Sequence, residues 1–323
     1  MHPRAIPDIP IIRRRDSEAG DQALARAVRD GMLVRVVPGS SVPVAAWAGL
    51  PPMDRHLVRV IEAVDRSLGR IVVSHHAAAA VWGIDVLGGW PVRIDTTVPR
   101  RSGGRGSGVF ARHTLTASDV ETVPWRGHEL TTPAQTALDL ARTIGFTRAV
   151  SAVDQVRWGA RTGGPLATDA AIERLRAHAQ ARRGDPRARR VLAFSTDLSD
   201  SVRESQSRVL LHQLGFPRPE LQHGFRLPDG RRVRSDFWFP EFDHVGEFDG
   251  LSKYLDPAMT RGRTAADVLA AEKDRGDKLA RLVRRISRWR TPDLEDPRRL
   301  YDILTGDGLP SARPRPPRGL VLP

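Results

Sequence analysis

The chain contains no cysteine, so disulfides and thiolate metal sites are both excluded. Lysine is nearly absent as well. Of 51 basic residues only Lys253, Lys273 and Lys278 are lysines, and all three lie in the carboxylate-rich C-terminal region. A chain that writes arginine elsewhere reserves lysine for places needing a compact, point-like ammonium. No run approaches the ~20 apolar residues of a membrane span, and the opening segment MHPRAIPDIPIIRRRDSE has no apolar core of signal-peptide length. The expectation is a protein of the cytoplasm with no membrane partner.

What is present is arginine and a mixed apolar pattern. The 323 residues carry a net charge of +13, with 40% hydrophobic residues. That is chain enough for two or more domains, and the charge points to a polyanion, nucleic acid first and an anionic membrane surface second. An arginine-biased composition with no polyanion is the alternative.

Several elements can be read in order. Residues 1–15 read as a flexible arm. Residues 16–50 read as a helix followed by LVRVVPGSSVPV, a two-strand wing with a Pro-Gly turn, giving a winged-helix-like module in which Arg35 is a candidate DNA contact. Residues 51–195 form a mixed α/β and helical middle region. Within it Ser74 caps a helix beginning at His75-His76. Adjacent rings on a helix point about 100° apart and do not readily share one ion. PRRSGGRGSG reads as a flexible basic hairpin tip between two strands, with Arg100, Arg101 and Arg105 available to a nucleic-acid backbone. A linker at 196–200 precedes a domain at 201–304, and the proline-rich residues 305–323 read as a disordered tail.

The stretch on which the functional reading turns is RVRSDFWFPEFDHVGEFDGLSKY, Arg232 to Tyr254. Its period-2 alternation predicts two paired strands, with Arg234, Asp236 and Trp238 on one face of the first and Val245, Glu247 and Asp249 sharing a face of the second. Three carboxylates on neighbouring strands are costly to hold together without a cation, and hard oxygen ligands at that spacing suit Mg²⁺ or Mn²⁺. The alternative for these acids is a solvated strand face. Upstream, Ser201 and Glu204 form a Ser-x-x-Glu capping box on the preceding helix.

The order helix–strand–strand–strand–helix–strand resembles the PD-(D/E)XK nucleases, and most closely their very-short-patch-repair-like endonuclease domains. The residues that carry the resemblance are RESQSRVLLHQLGFPRPELQ, Asp236 in SDFWFPE, GEFDGLSKY and AEKDRGDKL. LVRVVPG, SHHAAAAVWGI and TTPAQTALDLAR resemble the N-terminal part of AbiEi-type antitoxins. The resemblance implies an α+β multidomain chain ending in a restriction-endonuclease-like mixed sheet flanked by helices. It implies a Mg²⁺-dependent DNA endonuclease in which Asp236 and Glu247 hold the metal and Glu204 supports them. The family's lysine stands two residues after the second acid, where this chain has Asp249. Either Lys253 or Lys273 then supplies the ammonium, or Asp249 is a third ligand. The alternative reading is a non-catalytic DNA-binding regulator, antitoxin-like, with a partner protein in a toxin–antitoxin or defence locus.

Overall fold

The computed structural model describes residues 2–16, 20–99, 108–115, 120–178, 183–227, 229–250, 274 and 276–320. The fold is α+β, and the chain divides into two compact units, 1–195 and 196–323.

In the first unit β1 (Ile12–Arg13) and α1 (Gly20–Arg29) precede a hairpin of β2 (Leu33–Val37) and β3 (Ser40–Pro43). The wing expected from LVRVVPGSSVPV forms, turning at Pro38-Gly39 with Gly39 at φ +79°, a left-handed conformation that glycine adopts without penalty. The N-terminal arm is not loose. Ile12 pairs with Ser41, so β1 is the third strand of an antiparallel sheet ordered β1-β3-β2. Ile9 and Ile11 pack on Val36, Val42 and Val58, and Arg13 donates twice to the buried Glu62 carboxylate, at 2.6 and 3.1 Å. The prolines set an extended backbone, and its isoleucines and one arginine find apolar and charged partners.

The chain continues through α2 (Val44–Gly49), α3 (Pro52–Val64), β4 (Val72–Val73), α4 (His75–Trp82), β5 (Ile94–Pro99), β6 (Phe110–Leu115), β7 (Thr122–Trp125) and β8 (His128–Thr131). The apolar stripe of α3, Leu57, Val60, Ile61 and Val64, is buried, each side chain contributing roughly 1.5–3 kcal/mol by leaving water. The five-stranded sheet is ordered β6-β5-β4-β8-β7. Here β5 and β6 run parallel, Ile94 against Phe110 and Pro99 against Leu115. The two strands are therefore not the hairpin expected from the sequence, whose strands would run antiparallel. Arg100, Arg101 and Arg105 lie outside the described residues. Among the described residues, α5 (Pro133–Thr143), α6 (Phe146–Arg157), α7 (Asp169–His178) and α8 (Asp185–Phe194) follow.

The second unit is built from α9 (Val202–Gln213), β9 (Glu220–Arg226), β10 (Arg232–Phe239), β11 (His244–Phe248), β12 (Arg285–Trp289), α10 (Thr291–Glu295) and α11 (Pro297–Gly306). Its sheet is ordered β12-β11-β10-β9. The first three strands form an antiparallel meander, and β12 lies parallel to β11. One face is apolar: Phe237, Phe239, Phe248 and Trp289 pack with Leu210, Leu211 and Leu214 of α9 and with Leu294, Leu300 and Leu304. On the other face Val245 packs with Leu279 and Val283.

The residues after α11 fold back instead of trailing freely. Leu309 is buried, Ser311 Oγ donates to Leu214 O, Ala312 N to Gly215 O and Arg313 Nη1 to Gln213 O. The last carbonyls of a helix have no partner within it. Here Ser311, Ala312 and Arg313 supply donors at the end of α9.

Candidate functional site

Two of the acids singled out in the sequence, Asp236 and Glu247, fall on one cross-strand row. Pairing of β10 with β11 runs Phe239↔His244, Trp238↔Val245 and Phe237↔Gly246. One further step of that register sets Asp236 opposite Glu247. In the parallel pair, Glu247 lies against Arg288. On the other side, Ser235↔His223 and Phe237↔Leu221 bracket Asp236 against Gln222. The row thus reads Gln222, Asp236, Glu247, Arg288 from β9 to β12. Directly opposed antiparallel residues have Cβ atoms about 5 Å apart.

Each acid has a role in the fold. The β10–β11 ladder ends at Phe237↔Gly246, and beyond it Asp236 Oδ2 accepts from Phe248 N at 2.9 Å. Glu247 is buried, and its Oε2 accepts from Arg288 Nε at 3.2 Å. Asp249 follows β11; its N donates to Trp289 O at 2.8 Å and its Oδ2 takes Arg290 Nε and Nη2, both at 3.1 Å. Acids on one strand thus face arginines on the next.

Glu204 sits at the buried N-terminus of α9. Its N donates to Ser201 Oγ at 3.1 Å, and Ser201 Oγ donates to Glu204 Oε1 at 2.9 Å. Its Oε2 accepts from Asp200 N at 3.0 Å and from Gln222 Nε2 at 3.1 Å. Ser201 Oγ thus caps Glu204 N, the first half of the Ser-x-x-Glu box, while the Glu204 carboxylate reaches Asp200 N, one residue before the cap, in place of Ser201 N. Gln222, at φ +52° within β9, links Glu204 to the row. Ser201→Ala is expected to cost about 1 kcal/mol of stability in the C-terminal unit, seen as a lower urea midpoint. An unchanged midpoint would mean that Glu204 secures the helix end without the serine.

Among the described residues, no set of three or more His, Asp or Glu side chains is placed to hold a metal ion. Asp236 and Glu247 offer hard oxygens on adjacent strands, which fits a Mg²⁺-type cation in donor chemistry and in number for a site completed by water and phosphate. Glu204 and Asp249 do not join them. Lys253 and Lys273, the two candidate ammonium groups, lie outside the described residues. Arg35 is exposed on β2, at the rim of a cavity of about 290 Å³ shared with Arg14 and Asp21.

The first unit holds a buried histidine cluster that local sequence pattern does not reveal. Asp95 Oδ1 pairs with His113 Nε2 at 2.8 Å, and Oδ2 with His76 Nδ1 at 3.1 Å. The His75 ring stacks on His113 at 3.6 Å between centroids, with its backbone at φ +49°. His56 packs on Trp90 at 5.2 Å. Burial pushes His56 down to about 4 and His75 down to about 3. Burial works to raise Asp95, but hydrogen bonds to His113 and His76 outweigh it and hold the carboxyl well below its usual range. The one sequence signal was the His75-His76 pair; His56, Asp95 and His113 come from three other elements.

No protein-family model matches the chain. It is similar to two Mycobacterium tuberculosis proteins, Uncharacterized protein MT2308 of strain CDC 1551 / Oshkosh and Uncharacterized protein Rv2248 of strain ATCC 25618 / H37Rv. Each is 29% identical over 251 residues, covering 75% of this chain and 83% of the relative. Among solved structures, the Rv2827c protein of Mycobacterium tuberculosis aligns with 68% of this chain and 84% of its own, at 14% identity and a TM-score of 0.34.

Proposed function

We propose that the C-terminal unit is a metal-dependent DNA endonuclease domain of the PD-(D/E)XK type. The observation that carries this reading is the Asp236–Glu247 pair, opposed across β10 and β11 where their ladder ends. A helix, an antiparallel meander and a fourth strand parallel to the third support it. Two acids at the end of a strand ladder are unfavourable for simple DNA binding, because phosphates repel them.

A bound Mg²⁺ or Mn²⁺ would polarise the scissile phosphate and lower the pKa of an attacking water. The chain's own part is to hold that ion through Asp236 and Glu247. Phe248 N fixes the Asp236 carboxylate, Arg288 neutralises Glu247, and the net charge of +13 draws in the polyanion. Lys253 or Lys273 is the ammonium that would steady charge developing on the phosphate. The N-terminal unit, with Arg35, Arg100, Arg101 and Arg105, would position the substrate.

Supercoiled plasmid incubated with Mg²⁺ or Mn²⁺ tests the reading. Cleavage is expected to require the metal and to fall by about 100-fold or more in Asp236→Ala and Glu247→Ala. Equal cleavage by all three proteins would sink it. A second reading, a non-catalytic DNA-binding regulator of a toxin–antitoxin or defence locus, is favoured by the Glu247–Arg288 and Asp249–Arg290 pairs, which neutralise the acids without a metal. A gel shift that EDTA leaves unchanged, with no cleavage, would establish it.

A further inference from the structure

We propose that Arg288 is a built-in counter-ion of Glu247 that a divalent cation must displace, and that the freed guanidinium then binds the phosphate under attack. The inference rests on the nuclease reading and assigns the cation that Asp249 does not provide.

Glu247 is buried within β11, and a buried carboxylate needs a partner or a cation. Arg288 is one such partner, through Nε to Oε2 at 3.2 Å. Its side chain is 51% exposed against 9% for Glu247, so the pair is half open to water and weak enough to exchange. Guanidinium carries five N–H donors and matches phosphate in two-point contact. Only Nε is committed to Glu247, leaving the outer amino groups for an anion. The register does the rest. Arg288 is one strand, about 4.8 Å, from Glu247 and two from Asp236, within the reach of its own side chain.

The berth for this arginine is also built. Gly276 lies in helical backbone one turn before Leu279, which packs on Val245 over the same face of the sheet. A Cβ at Gly276 would stand 2.6 Å from Arg288 Nη2. Glycine is unfavourable within a helix, yet here any side chain would drive the guanidinium from its place. Because the obstructing atom is the end of a flexible side chain, Gly276→Ala would displace Arg288 at little other cost.

Calorimetric titration of Mn²⁺ into the full-length protein without DNA tests the inference directly, with plasmid cleavage measured alongside. Arg288→Ala is expected to bind Mn²⁺ about fivefold more tightly than wild type, the worth of a half-exposed ion pair no longer opposing the cation. Its cleavage should fall at least ~10-fold, with the loss in kcat more than in KM, and Arg288→Lys should restore part of it. Gly276→Ala should shift Mn²⁺ affinity in the same direction and serves if Arg288→Ala does not fold. Unchanged or weaker Mn²⁺ binding in both variants, with wild type still cleaving, overturns the inference and leaves the nuclease standing. No Mn²⁺ binding by any of these proteins overturns the nuclease reading and the inference with it.

Discussion

Trp289→Ala is expected to destabilise the C-terminal unit by about 3–5 kcal/mol, the usual cost of removing a fully buried tryptophan. Trp289 is wholly buried at the end of β12 and packs on Phe237 at 5.5 Å between ring centroids. Its Nε1 donates to Ser207 Oγ of α9 at 2.8 Å, so the indole joins sheet and helix by a polar bond as well as by area. Gly246, on the neighbouring strand, exists to admit it: a Cβ there would stand 2.6 Å from Trp289 Cη2. Trp289→Phe should lose less, keeping most of the volume but leaving Ser207 without its donor. The measurement is the urea dependence of amide exchange at β11, which reports this unit without the other. A loss below about 1 kcal/mol for alanine would show that the face can close over the gap, contrary to the packing described.

Acid should unfold the N-terminal unit well before it titrates ordinary carboxylates. His56 and His75 are held neutral, at about 4 and about 3, against 6.5 for the free side chain. A histidine whose folded pKa is depressed takes its proton more readily when unfolded. Its contribution is therefore complete above pH 6.5 and is lost as pH falls from there towards the folded value. For His56 alone the loss by pH 4.5 is roughly 2–3 kcal/mol. Burial is the main cause, with His76 and Arg59 also opposing the proton and Asp95 favouring it. His56→Phe should remove most of that loss while keeping the contact with Trp90. Chemical denaturation followed by amide exchange at α3, at pH 7.5 and 4.5, gives the comparison. Identical acid sensitivity in wild type and His56→Phe would place the proton uptake elsewhere.

Much of the C-terminal unit could be read locally. The alternation from Arg232 to Phe239 is interrupted by no proline or glycine, and the strand spans those residues. Of the capping box at Ser201 and Glu204, the Ser201 Oγ cap on Glu204 N forms, and the Glu204 carboxylate takes Asp200 N in place of Ser201 N. Other features depend on information that no window contains. The parallel pairing of β5 and β6 is invisible to period-2 alternation, which is the same for either direction. The β7–β8 hairpin was not anticipated because Pro124 breaks its strand pattern, and its turn uses Arg126 at φ +50° beside Gly127. The alternating RRISRWR of residues 284–290 reads as a basic strand, but that Arg288 meets Glu247 follows only from how β12 is aligned with β11. The histidine cluster gathers side chains from positions 56 to 113, so tertiary packing alone creates it.

The fold-back of residues 309–313 onto the end of α9 has a consequence during synthesis. Ser311 closes on Leu214 across 97 positions of sequence, and Arg313 on Gln213 across 100. At a translation rate of about 5–20 residues per second, α9 waits roughly 5–20 s for these partners to be made. Until then its final carbonyls rely on water, and Leu214 and Phe216 lack part of their cover. The nascent C-terminal unit thus cannot complete its packing at the end of α9 until residues 309–313 are made, and those seconds are when a chaperone would find that end open.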